Sequence, residues 1–274
     1  MSPNPMSNVA VVFGAMLIGA PDGLVPGGLM AMRVTTTEVA AQLLDVFQKH
    51  GYSEVNTARM YANATNEKML GSVGWQKRGL KVSTKIMPTK GRNLTWLTSD
   101  VLSHSPADIR AGSKFSLDAL KTDKVDIYYL HAPDRTVPYE ETLRELNKIY
   151  TEGAFARLGI SNYPAWEVAQ ICENCKRNGW VMPSIYQGIY NAQHRAVEAE
   201  LIPCLRAYGI SFYVYNPLAG GSFSSRYTGD HTEFGSTDRF NPDVPHTAYS
   251  HSLFWWEAGP QHPSRGDCTP WYHR

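Results

Sequence analysis

The sequence predicts an α/β protein of the (β/α)8 barrel class, on three observations. Short β-branched runs alternate with amphipathic helical stretches along most of the chain. The connections between them are short, as in parallel sheets covered by helices. No G-x-G-x-x-G follows the first apolar run, which removes the usual reason for choosing an open dinucleotide-binding sheet. A chain of 274 residues, 43% hydrophobic and 19% charged, is long enough to bury the core of a barrel.

The elements can be justified in order. VVFGAM (11–16) reads as the first strand. TTTEVAAQLLDVFQKHG follows as a helix with Thr36 or Thr37 as N-cap, Val39, Leu43 and Phe47 on the inward face, and Gly51 as the stop. EVNTA (54–58) is the second strand, and NEKMLGSVG continues as a helix whose register the pattern leaves open. LKVSTKI (80–86) is the third strand; SPADIRAGSKFSLDALKTD is a helix capped by Ser105 with Pro106 in its first turn and Ile109, Ser113, Leu117 and Leu120 inward. VDIYYLHA (125–132) is apolar enough to be buried on both faces. PYEETLRELNKIYTEG places Leu143, Leu146 and Tyr150 inward, and ARLGISN (156–162) is the fifth strand. PAWEVAQICENCKRNG, SIYQGIYN (184–191), HRAVEAELIPCLRAYG with Val197, Leu201, Leu205 and Tyr208 inward, and ISFYVYNP (210–217) complete seven strands and six helices.

In such a barrel the chemistry lies where strands end. The predicted strand ends carry Asn56, Lys85, His131, Ser161 with Asn162, Gln187, and Tyr215 with Asn216 and Pro217. Polar groups at successive strand ends converge on one space.

EVNTARMY, VSTKIMP, DIYYLHAPD, ARLGISNY, YQGIYN and YVYNPLAGG, in this order and spacing, resemble the aldo-keto reductases and among them the aflatoxin-aldehyde reductase branch; the likeness runs over about residues 9–240. The resemblance implies a barrel that binds NADPH across its carboxyl face and reduces a small-molecule aldehyde or ketone to an alcohol, in detoxification or a natural-product pathway. It places Tyr61 at the proton donor, Lys85 at the lysine beside it, and His131 at the histidine that orients the substrate carbonyl. Ser161, Asn162 and Gln187 fall on positions that hold the nicotinamide carboxamide, Tyr215 on the ring that stacks against it, and Asn216, Pro217, Leu218, Ala219, Gly220 and Gly221 on the loop around the pyrophosphate. Asn56 stands where the family has an aspartate that pairs with the lysine and touches the nicotinamide side.

The chemistry is consistent with these roles. Hydride delivery leaves an alkoxide that needs a proton, and a free phenol of pKa about 10 gives one up slowly at neutral pH. An ammonium within about 4 Å favours the phenolate. A neutral imidazole adds a hydrogen bond to the same oxygen. With an amide at Asn56, the alternative expectation is a weakly active or non-catalytic relative that senses cofactor or serves as a partner subunit.

The remaining features bound the other classes. A net charge of +1 with both signs scattered provides no stripe for nucleic acid and no polybasic membrane patch. VAVVFGAMLIGA (9–20) is too short to span a membrane, and the preceding MSPNPMSN has no Lys or Arg, so the expectation is a cytoplasmic protein. Cys172 and Cys175 form a C-x-x-C on a predicted amphipathic helix with no completing ligand pair, so no metal is expected. The expected domains are a barrel over 1–243 and an atypical tail over 244–274, which carries Trp255, Trp256, Trp271 and four histidines without strand or helix period. The resembled family runs on through an eighth strand and a segment that grips the cofactor's 2′-phosphate, so against that resemblance the expectation is an incomplete barrel of seven strands with a weakened grip on this phosphate; a homodimer is compatible with the resemblance.

Overall fold

A computed structural model describes residues 9–20, 32–92, 94, 98–221 and 223. Seven parallel strands lie side by side in sequence order: β1 (Phe13–Gly14), β2 (Glu54–Asn56), β3 (Lys81–Ile86), β4 (Val125–Leu130), β5 (Phe155–Ser161), β6 (Pro183–Ile189) and β7 (Ser211–Tyr215). Helices α1 (Thr37–Lys49), α2 (Thr65–Val73), α3 (Pro106–Leu120), α4 (Tyr139–Thr151), α5 (Ala165–Asn178) and α6 (Leu201–Tyr208) connect them in strict alternation. The architecture is the incomplete (β/α)8 barrel that the sequence pattern predicts; among the described residues no pairing joins β7 to β1.

Two residues far apart in sequence show that the sheet is rolled. The Tyr213 hydroxyl of β7 donates to Glu54 Oε2 of β2 at 3.0 Å, across 159 residues. Arg157 of β5 reaches the same Glu54 oxygen at 3.6 Å and also pairs with Asp126. Strands β2, β4, β5 and β7 are thereby tied at the end of the barrel opposite the strand termini. The period-2 alternation of strand side chains then fixes what faces inward. Ile127, Tyr129 and Ile185, with Tyr213, form the apolar filling of the interior. Gly159 is required there, since a Cβ would stand 2.2 Å from the Tyr129 ring.

The larger core lies between the sheet and the helices, where Leu44, Val55, Leu70, Val82, Ile109, Leu120, Leu146 and Ile171 are all buried. Burying each such side chain contributes on the order of 1.5–3 kcal/mol. Capping follows the sequence. Thr36 Oγ1 accepts from Val39 N at 3.3 Å, and Ser105 Oγ from Asp108 N at 3.3 Å with Pro106 in the first turn.

Four details differ from the pattern reading. Helix α1 turns Ala40, Leu44 and Phe47 inward, while Val39 and Leu43 are exposed; the small Ala40 lets the helix lie closer to the sheet than Val39 would. Tyr150 is largely on the surface and Ile149 takes the buried place on α4. Helix α6 starts only at Leu201, because Pro203 lacks an N–H and fits only within the first turn of a helix. Strand β1 is reduced to two paired residues. The proposed tail, 244–274, lies outside the described residues, as does much of the loop after β1.

Replacing Tyr213 with Phe removes a hydrogen bond to a charged, part-buried carboxylate. The expected loss is about 1.5 kcal/mol of stability, read as a fall in the urea midpoint with an unchanged slope; an unaltered midpoint would show that the cross-barrel tie contributes nothing.

Candidate active site

Alternation along β2 and β3 sends Asn56, Ser83 and Lys85 into the barrel at its carboxyl end, with Asn56 paired beside Ser83 in the register. Lys85 is completely buried. Its ammonium donates to Asn56 Oδ1 at 2.5 Å and to the Thr57 carbonyl at 2.7 Å. Asn56 Nδ2 donates to Ser83 Oγ at 2.9 Å, which fixes the amide with its oxygen toward the lysine. Both acceptors of the lysine are neutral, so burial dominates and pulls its pKa down to about 7, opposed by the negative charge of Glu67.

Two rings complete this cluster. Lys85 Nζ lies 5.1 Å from the centroid of the Tyr61 ring. His131, just past β4, stands edge-on to Tyr61 at 5.8 Å between centroids and 81° between planes. The His131 N–H donates to the Ile86 carbonyl at 2.9 Å, which carries the β3–β4 ladder one step beyond the strand. The residue is only half-buried, yet its Nδ1 is buried and finds no partner among the described residues. Burial, then the charges of Lys85 and His104, hold its pKa well below the ordinary histidine range, so the imidazole is neutral.

A second group lies beside the first. Asn162, in the left-handed region at φ 64°, braces three strand ends. Its Nδ2 donates to the His131 carbonyl at 2.9 Å and to Ser161 Oγ at 3.0 Å, and its Oδ1 accepts from the Tyr215 hydroxyl at 2.9 Å. Ser161 pairs with Gln187 in the β5–β6 register, and both are buried. After β7, Asn216 Oδ1 accepts from Gly220 N at 2.5 Å and its carbonyl from Ala219 N at 3.0 Å, folding Asn216–Gly221 into a tight turn with Pro217 and Leu218 on the outside. The structure thus brings every residue singled out at the strand ends to one end of the barrel, in two clusters joined by the Asn162–His131 bond.

The aldo/keto reductase family model matches residues 10–258. The chain belongs to the aldo/keto reductase family. Aldo-keto reductase pigE of Monascus ruber is 47% identical over 257 residues, covering 93% of this chain and 73% of that protein. Aflatoxin B1 aldehyde reductase member 2 of mouse is 44% identical over 205 residues, covering 73% of this chain and 53% of that protein. Oxidoreductase sirO of Leptosphaeria maculans is 36% identical over 222 residues, covering 81% of this chain and 63% of that protein.

In this aldo/keto reductase, supporting residues surround the strand-end cluster that the motifs alone do not mark. The first turn of α2 is the main one. Asn66, completely buried, takes a hydrogen bond from Thr57 Oγ1 and donates to the carbonyls of Ala15 and Ile18 at 2.6 and 2.7 Å, joining the ends of β1 and β2. Glu67, also completely buried, accepts from Thr84 Oγ1 at 2.5 Å and lies 3.7 Å from Arg59. Burial raises the Glu67 pKa, against the pull of Thr84, Ser116 and Arg59. A signal was present: Asn66, Glu67, Leu70 and Gly71 are the buried face of α2 at i, i+3, i+4 spacing, with its polar members at the helix start.

Other candidates fall away from this place. Cys172 and Cys175 are packed in the core against α5's neighbours, with burial pushing each thiol up to about 12. A cavity of about 350 Å³ lined by Arg59, Lys68, Phe115 and Lys121 opens between α2 and α3, outside the barrel and apart from Lys85.

The depressed Lys85 pKa has a consequence for stability. Between about pH 7 and 10.5 the unfolded chain holds a proton on this lysine that the folded chain lacks, so its destabilising effect is full below pH 7 and fades as pH rises. The unfolding free energy of the natural chain minus that of Lys85→Met is expected to increase with pH across this window. A difference that is flat or falls from pH 6 to 10 would show that Lys85 is not held near neutrality.

Proposed function

We propose that this aldo/keto reductase reduces an aldehyde or ketone to an alcohol with NADPH as the reductant, Tyr61 acting as proton donor. The single observation that carries this reading is the buried Lys85 ammonium, held by Asn56 and Thr57 beneath the Tyr61 ring with His131 edge-on beside it. The bound cofactor supplies the hydride. The residues in place are suited to receive its nicotinamide: Gln187 is a buried amide with no side-chain hydrogen bond among the described residues, Ser161 lies next to it in the register, and Tyr215 offers its ring at the end of β7. Asn162 holds that ring in place through the Tyr215 hydroxyl. The turn Asn216–Gly221 borders the same edge and is the segment assigned to the pyrophosphate.

The protein's part in the reaction follows from charge. As the carbonyl oxygen turns into an alkoxide, the Tyr61 hydroxyl transfers its proton, and the resulting phenolate is stabilised by the Lys85 ammonium. His131 is neutral and so donates a hydrogen bond to the carbonyl oxygen without competing as an acid. The name of the aflatoxin B1 aldehyde reductases supports an aldehyde-type substrate; a role in detoxification or a natural-product pathway is part of the same proposal.

Asn56 sets the level of activity. With an amide acceptor the bond from the Lys85 ammonium stays charge-assisted, at the low end of the roughly 1.5–3 kcal/mol such bonds contribute, where a carboxylate would place it at the high end. An amide where a carboxylate would sit therefore forfeits about 1 kcal/mol, at most about tenfold in rate. It also lets Lys85 lose its proton near pH 7. Asn56 is likewise the observation that favours the second reading, a weakly active or non-catalytic relative acting as a cofactor sensor or partner subunit.

One assay decides between them. NADPH oxidation with a panel of small and aromatic aldehydes is expected to give turnover that Tyr61→Phe abolishes; no turnover with any carbonyl would favour the second reading. In Asn56→Asp, turnover is expected to rise several-fold and the alkaline limb of its pH profile to move to higher pH, as a carboxylate keeps Lys85 charged. An unchanged or lower rate would argue that the site does not do reductase chemistry.

A further inference from the structure

The segment that follows Tyr61 has an uncommon backbone. Ala62 (φ 48°, ψ 40°), Asn63 (φ 49°, ψ 51°) and Ala64 (φ 68°, ψ −3°) are three successive non-glycine residues in the left-handed region. Side chains with a Cβ are disfavoured there, and such residues occur singly rather than in runs. Strain of this kind persists only where the surroundings over-determine it.

The surroundings do so from two sides. On the β1 side, Ala62 packs against Gly19, where an added Cβ would meet the Ala62 methyl at 2.3 Å. Thr65 Oγ1 donates to the Ala62 carbonyl at 2.7 Å and accepts from Ala20 N at 3.1 Å. On the β3 side, Asn63 Oδ1 accepts two hydrogen bonds from one residue, Ser99 N at 2.8 Å and Ser99 Oγ at 2.9 Å. The neighbouring Asp100 takes Arg59 Nε at 2.8 Å, and its carbonyl accepts from Thr89 Oγ1 at 2.6 Å. The turn is thus clamped between the segment after β1 and the segment after β3, and Asn63 is the side chain that reaches across to Ser99. Among the described residues, the side-chain hydrogen bonds of Asn63 go to Ser99 and not to Lys85 or His131.

We propose that Asn63 is a positioning residue: by accepting both hydrogen bonds of Ser99 it holds the left-handed turn that presents Tyr61 between Lys85 and His131. The proposal rests on the reading of Tyr61 as proton donor, and it adds that the phenol's place is set by the segment after β3 through this one amide. Substitutions separate the hydrogen bond from the backbone strain. Asn63→Gly removes the acceptor but adopts the left-handed region without penalty, so it is expected to fold with a thermal midpoint close to that of the natural chain. Asn63→Asp keeps an acceptor for both Ser99 groups.

Turnover of Asn63→Gly is expected to fall about tenfold in kcat, with KM for NADPH within about twofold and with Asn63→Asp restoring most of the loss. A second readout does not depend on turnover. With ¹³C-labelled tyrosine, the Tyr61 ring resonance, assigned by its absence in Tyr61→Phe, is expected at a different chemical shift in Asn63→Gly than in the natural chain at the same pH, because the ring has moved relative to Lys85 and His131. An unmoved Tyr61 resonance in a folded Asn63→Gly would overturn the positioning role whether or not the chain turns over carbonyls. A natural chain with no reductase activity, together with a moved resonance in Asn63→Gly, would leave the positioning role standing and remove the reductase reading.

Discussion

A completely buried ammonium with only neutral hydrogen-bond acceptors is the constraint around which this end of the barrel is organised. Removing such a charge from water is unfavourable by several kcal/mol, and partners must be supplied at fixed places if the group is to remain. Lys85 obtains two, the Asn56 amide oxygen and the Thr57 carbonyl, both from the end of β2. Each is itself fixed: Asn56 by Ser83, and the Thr57 side chain by Asn66 at the start of α2. The position of Lys85 therefore depends on β1, β2, β3 and α2 meeting in one register. Its pKa near 7 is what remains after the negative charge of Glu67 has offset part of the burial.

The rolled sheet makes this arrangement possible. Along β2 to β7, alternate residues face the interior, and the layers differ in character. The closed end holds Glu54, Arg157 and Tyr213 in an ionic and hydrogen-bonded tie; the middle holds Ile127, Tyr129 and Ile185; the open end holds Asn56, Lys85, Ser161, Gln187 and Tyr215. An apolar filling thus lies between two polar layers, with Lys85 in the layer at the strand termini. Asn162 ties the two halves of the open end by bonding to His131 and Tyr215 at once.

How much of this was legible beforehand varies by the kind of interaction. Strand ends were legible, because a parallel strand buried on both faces reads as a continuous apolar run and its first polar residue marks the rim. That is how His131 could be placed after VDIYYL; Asn56, Lys85, Ser161 and Asn162 were placed at the ends of shorter strands that already carry polar residues. The inward face of α1 was not, since VAAQLLDVF offers apolar residues on two adjacent faces and only contact with the sheet selects Ala40 and Leu44 over Val39 and Leu43. The start of α6 was legible in principle from Pro203. Glu67 lay on the face that Leu70 and Gly71 mark as buried, but its role was hidden, because one charged residue in a first helical turn is ordinarily a solvated one.

The sequence by itself determined the alternation of seven strands and six helices, the identity of the polar groups at their ends, and the amide at position 56. These are properties of local periodicity and of residue type, which need no knowledge of neighbours. Only the tertiary structure decided that the Asn56 oxygen faces Lys85, that His131 is neutral, and that Tyr61 is followed by a left-handed turn clamped from two sides. Each of those depends on burial or on groups distant in sequence: desolvation sets the charge of an imidazole, and backbone strain is tolerated only where packing from elsewhere holds it.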